Sequence, residues 1–252
     1  MASGIALFID GETKYEAGQL PEAFELYRQA VVQIVNHEDV LQKLPVIGEE
    51  FPEEILVCVW QNLVGCFRQD GRGFTQEAYP DGYDLVYSFR PTSSSKAHPQ
   101  FKGPQGRRVL KAMEITAALT LGLLAHDQHD RSTAAKRYQE GLDVAATHPP
   151  FNAVTSGQKH LNKVIAREVQ QMRDNLAELV KNDTINAAMV GSGQGVLRKD
   201  VLNTPHTRIG HNGADNDGRH LCRSHRRVRK GEMQQAGRRL QTLQCLYENC
   251  IL

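Results

Sequence analysis

The sequence predicts an all-α fold: an irregular array of antiparallel helix pairs over residues 1–182, followed by a largely disordered tail over 183–252. Three observations predict it. Apolar residues in the first three quarters recur at helical rather than two-residue spacing. Two stretches repeat one pattern of small and aromatic residues at identical offsets. After residue 182, Gly191, Gly193, Gly195, Gly210, Gly213 and Gly218 interrupt a polar run with few large apolar side chains. Such a composition buries too little to offset the entropy of ordering the chain.

In chain order, helices are expected over 1–17, 20–37, 53–68, 107–125, 132–147 and 155–182. Pro21 sits in the first turn of the second, where its missing N–H costs nothing. Val57, Val59 and Trp60 suit a strand, but 53–68 spans about four helical turns with no turn signal before Gly65. Residues 69–106 are rich in Gly, Pro, Ser and aromatics and read as a long internal loop with one short helix near 83–89. His148-Pro149-Pro150 ends the fifth helix.

The repeated pattern places Gly11, Ala23, Tyr27 and Ala30 at the same spacings as Gly122, Ala134, Tyr138 and Gly141. Small residues let two antiparallel helices approach, Gly11 against Ala23 and Gly122 against Ala134, with each Tyr filling the space beside them. These residues resemble the tetratricopeptide repeat, with Tyr15, Gly18 and Leu121 also in family-like places. The resemblance covers about 65 residues directly and implies stacked helix pairs with a concave face. A narrower resemblance rests on RPTSSSKAHPQFKGPQGRRVLKAMEI, AALTLGLLA and AKRYQEGLDVAATHPPFNAV. These segments look like fungal proteins that join such a helical region to a C-terminal MYND-type zinc finger.

Composition narrows the function classes. The 252 residues carry 30 Lys and Arg against 29 Asp and Glu, so net charge is +1 and no global electrostatic partner is implied. Collagen-like, mucin-like and acidic-tail classes are excluded. Five Cys, an odd and sparse count, do not make a disulfide-stapled scaffold. Asp10 and Glu12 interrupt the N-terminal apolar patch, and the apolar stretch 115–125 is too short to cross a bilayer. The expected place is cytoplasm or nucleus, with no membrane partner.

The family resemblance implies one function to test, the carboxylate clamp that grips chaperone C-termini. It needs Lys and Asn where this chain has Phe8 and Glu12, and Glu12 repels a carboxylate. In the tail, Cys222, His225, Cys245 and Cys250 form the one conceivable zinc set, with nineteen residues between His225 and Cys245. Three tail cysteines are too few for a two-zinc MYND finger. No cofactor is expected for the chain as written; zinc is implied if the natural protein carries the finger.

Read one base out of phase, degenerate codons for 243–251 permit Cys-Ser-Val-Cys-Met-Lys-Thr-Ala-Tyr, and Met233-Gln234 forces a further Cys codon. A shifted reading frame over 196–252 would therefore account for the missing finger.

The remaining motifs are bland. HLCRSHRRVRK over 220–230 resembles a nuclear-localisation or polyanion-binding patch. With Tyr247 alone available for base stacking, it supports only weak, salt-sensitive nucleic-acid binding. Gly191-Ser-Gly-Gln-Gly195 lacks the strand and the ending of a phosphate loop and reads as a linker. His126, Asp127, His129 and Asp130 sit where a polar turn is expected, and Cys58 and Cys66 read as small core side chains. No GxSxG, HExxH or Cys/His/Asn signature occurs. The expectation is a non-catalytic protein-binding scaffold, with Arg28, Gln29, Gln61 and Arg68 as polar groove contacts. The alternative is a nucleic-acid or chromatin-associated protein acting through its basic tail.

Overall fold

A computed structural model describes residues 2–43, 54–69, 73–92, 99–155 and 158–191, with side chains to residue 182. Among the described residues the chain is all-α, with no strand. Its helices are α1 (Gly4–Glu16), α2 (Leu20–His37), α3 (Ile55–Phe67), α4 (Pro80–Ser88), α5 (Gly103–Asp127), α6 (Arg131–Ala146) and α7 (His160–Gly191). An isolated antiparallel bridge pairs Lys43 with Glu54. The expected tail disorder and the set Cys222, His225, Cys245 and Cys250 lie outside the described residues.

Several helix limits differ from the sequence reading; α7, expected from residue 155, begins at His160. α4 and α5 begin earlier than expected because Pro80 and Pro104 occupy first-turn positions, where proline starts a helix. α7 runs on from residue 182 to Gly191, since nothing between carries a Gly or Pro to interrupt the ladder. The linker predicted from residue 183 is therefore helical in its first nine residues.

Cross-helix contacts set the layout. Gly4 donates its N–H to the Glu38 carboxylate at 2.9 Å while Gly11 meets Tyr27, so α1 and α2 are antiparallel. Lys111 reaches the Thr147 carbonyl while Gly122 meets Tyr138, so α5 and α6 are antiparallel as well. Arg108 pairs with Glu54 and Gln61 with Thr116, which runs α3 and α5 parallel. Arg131 donates to the Leu179 carbonyl while Gly141 faces Met172, so α7 opposes α6 and parallels α5. Asn62 donates to Glu12, linking α1 to α3. The odd-numbered helices thus share one direction, and α2 and α6 oppose them. Short α4 packs against α2 and α5, with Gly82 held close on the Phe24 ring.

The core lies between these two sets. α3 is buried on nearly every face, Trp60 included, which is why its sequence reads apolar all round. Phe24 packs on Phe67, Phe74 and Tyr79 at centroid separations of 5.3, 5.1 and 4.8 Å, pinning the stretch after α3 to the body. α5 has the length and mean hydropathy of a membrane span, but 72% of its apolar window is buried. Its apolar surface is satisfied by the other helices.

Both hairpin turns close alike. Gly18 has φ +78°, and the N–H of Gln19 donates to Lys14 O at 2.9 Å. Seven residues beyond Gly122, as Gly18 is beyond Gly11, His129 has φ 61°, and Asp130 N–H donates to Ala125 O at 2.9 Å. This left-handed helix end suits glycine. His129→Gly should therefore stabilise the protein by about 1 kcal/mol, read as a raised urea midpoint. An unchanged or lowered midpoint would mean that the His129 side chain repays its backbone strain.

Glu114 gives the fold a pH dependence. Burial pushes its carboxyl up to about 7, with the Lys111 ammonium pulling the other way. Folding thus favours the protonated form. The stabilisation is complete below the ordinary carboxylate value near 4.5 and is lost as pH rises through about 7. Glu114→Gln should raise the melting temperature at pH 8 and leave it nearly unchanged at pH 4. The gain should be about 1 kcal/mol, since part of the side chain is solvated. Equal shifts at both pH values would contradict this.

Candidate binding site

The repeat positions are buried as small and aromatic contacts. The nearest neighbours of Gly11 and Gly122 are the Tyr27 and Tyr138 rings, a glycine-to-tyrosine fit. A Cβ on Gly11 would lie 2.7 Å from Tyr27 Cε1, and one on Gly122 would lie 2.6 Å from Tyr138 Cδ1. The rings need the room; Ala23, Ala30 and Ala134 are buried beside them. Gly141 does a third job. A Cβ there would meet Met172 and Ala118, so Gly141 lets α7 approach α5 and α6.

The clamp positions are internal. The Tyr27 hydroxyl donates to Glu12 at 2.5 Å and the Asn62 amide at 2.6 Å, while Phe8 packs against the Tyr27 ring in the core. Burial, and the Glu12 charge after it, pushes the Tyr27 phenol well up, so it stays a donor. Placing Lys at position 8 would bury an ammonium rather than build a clamp.

The four expected groove contacts are engaged within the fold. Arg28 and Gln29 both donate to Glu25. Gln61 is buried and donates to Thr116. Arg68 donates to Thr120, to the Thr116 carbonyl and to Glu168. Gln29 is exposed and Arg28 half-buried, whereas Gln61 and Arg68 lie deeper, because spacing along an apolar helix identifies a face but not its depth. Cys58 and Cys66 are buried and form no disulfide among the described residues, and the Cys66 thiol donates to the Asn62 carbonyl.

A cavity of about 480 Å³ opens where α3 and α5 end, bounded by α4, α6 and the stretch 73–77. Phe67, Phe74, Leu121 and Leu124 form its apolar wall. Glu77, Asp127 and Asp130 carry negative charge at its edge. Backbone and Thr75 hydrogen bonds hold the Glu77 carboxyl below the ordinary carboxylate range. Thr133 does the same for Asp130, which caps α6 by accepting the Thr133 N–H at 3.0 Å. Arg137 also lines the cavity and meets both oxygens of Glu140, at 2.9 and 2.8 Å, a carboxylate that Arg90 approaches as well at 3.9 Å. Gln69 completes the wall with a buried side-chain oxygen that has no donor among the described residues.

Comparison with protein families, with curated proteins and with solved structures yields no match. The functional argument therefore rests on the geometry.

Asp127 and Asp130 came from the polar turn read in the sequence. Phe74, Glu77 and Gln69 belong to the stretch read as loop and were missed. The available signal was aromatic residues, Phe74 and Tyr79, inside a Gly- and Pro-rich segment, since exposed loops seldom carry paired rings.

Proposed function

We propose that this chain is a non-catalytic scaffold that binds another protein through tetratricopeptide-like helix pairs, acting in cytoplasm or nucleus. The observation that carries the reading is the parallel run of α1, α3, α5 and α7, opposed by α2 and α6, with an apolar-walled cavity at the ends of α3 and α5. Stacked helix pairs of this kind present extended surfaces to partners. The negative edge of the cavity repels phosphates, which favours protein over nucleic acid as the partner of the helical body.

The test is affinity capture by the full chain and by Thr133→Trp, which narrows the cavity. A captured protein that is lost with the variant and forms a stable complex with the purified chain supports the scaffold. Capture without any reconstituted complex, or an unchanged set of captured proteins, would overturn it. Circular dichroism melting confirms that the variant is folded.

A further inference from the structure

Deepening that scaffold reading, we propose that the cavity takes an Arg or Lys side chain from an amphipathic segment of the partner protein. An apolar neighbour on the same segment packs on Leu121 and Leu124. Charge sign comes first. Glu77, Asp127 and Asp130 bring three carboxylates to the edge, while Arg137, the one arginine among the described lining residues, meets the Glu140 carboxylate that Arg90 also approaches. Helix ends add to this field. α3 ends at Phe67 and α5 at Asp127, so the carbonyl-rich, negative ends of two helices lie at the cavity. The opposing positive end of α6 is already met by Asp130.

Hydrogen-bond chemistry agrees. The carboxylates and the Gln69 oxygen, which has no donor among the described residues, are acceptors, and an ammonium or guanidinium is donor-only. Shape agrees too. The wall of Phe67, Phe74, Leu121 and Leu124 suits the methylene stem of Arg or Lys, whose charged head stays at the wet edge. The cavity, about 480 Å³, falls within the ~300–1,000 Å³ usual for ligand sites and has room for an apolar neighbour.

The experiment is fluorescence polarisation with the full chain and labelled (Leu-Arg)4, (Leu-Glu)4 and (Gly-Arg)4 peptides. (Leu-Arg)4 should bind most tightly, (Gly-Arg)4 less tightly and (Leu-Glu)4 not at all, with affinity falling as salt rises. Glu77→Lys with Asp127→Asn should weaken (Leu-Arg)4 about tenfold. Neither change should unfold the protein. Glu77 and Asp127 are both exposed, and circular dichroism melting checks that the variant is folded. Unchanged affinity in a variant with intact melting, or equal binding of (Leu-Glu)4, would overturn the proposal. Binding that emerges only after Arg223, Arg226, Arg227 and Arg229 are replaced by Gln would overturn it in favour of the chain's own basic segment as occupant. If the charge variant loses (Leu-Arg)4 but keeps its reconstituted partner, the scaffold stands and this inference fails. If (Leu-Arg)4 binds as expected and no partner complex can be reconstituted, the scaffold reading fails and the cavity chemistry stands.

Discussion

Arg68→Met should destabilise the protein by about 3–5 kcal/mol, the largest loss expected from one side chain. Among the described residues Arg68 is the cation that reaches the buried carboxylate of Glu168, at 2.7 Å, and it also donates to Thr120 at 2.8 Å and to the Thr116 carbonyl at 2.9 Å. Glu168 accepts the Thr116 hydroxyl on its other oxygen at 2.6 Å. Its side chain is 8% exposed, so water cannot replace the guanidinium. Removing Arg68 strands a charge among α3, α5 and α7. Removing both charges together, as Arg68→Met with Glu168→Met, should cost far less, because apolar pairs of similar volume often replace buried ion pairs at little cost. Urea unfolding followed by circular dichroism measures both. Equal losses for the single and double variants would show that packing, not the stranded charge, sets the cost. A loss under about 1 kcal/mol for the single variant would show that the pair is effectively solvated.

Gly122→Val should cost about 2–4 kcal/mol by prising α5 from α6. A Cβ at this position lies 2.6 Å from Tyr138 Cδ1 and 3.1 Å from Cζ, and closer still to Cε1. Tyr138 is 1% exposed, so its ring has nowhere to turn. In an open helix, replacing Gly would instead gain up to about 1 kcal/mol of propensity. The clash therefore decides the sign. Tyr138→Ala in the Gly122→Val background should restore more than additivity allows, by at least about 1 kcal/mol in a double-mutant cycle. Simple additivity would contradict the glycine-to-ring fit. The contrast is Gly141→Ala, whose new Cβ meets Met172 Sδ at 2.6 Å. A thioether end can swing aside where a buried ring cannot, so that change should be the milder one.

Helix class, helix order and the two hairpins were legible in the sequence because each depends on neighbours. Apolar spacing, Pro21, Pro149 and the glycine-to-tyrosine offsets act within about thirty residues, and local sterics enforce them in any packing. The positive-φ turn at His129 was legible only in outline, since its sequence showed polarity and not conformation. Depth and long-range pairing were not legible. Gln61 and Arg68 looked like groove contacts, yet Arg68 finds Glu168 a hundred residues away. Glu12 looked like a repelled clamp position, yet Tyr27 and Asn62 enclose it from two other helices. The cavity depends on such contacts throughout. Its wall and edge come from α3, the stretch 73–77, α5 and α6, which no shared periodicity connects. Periodicity records which face of a helix is apolar, whereas which face meets which is set by how all the helices pack at once.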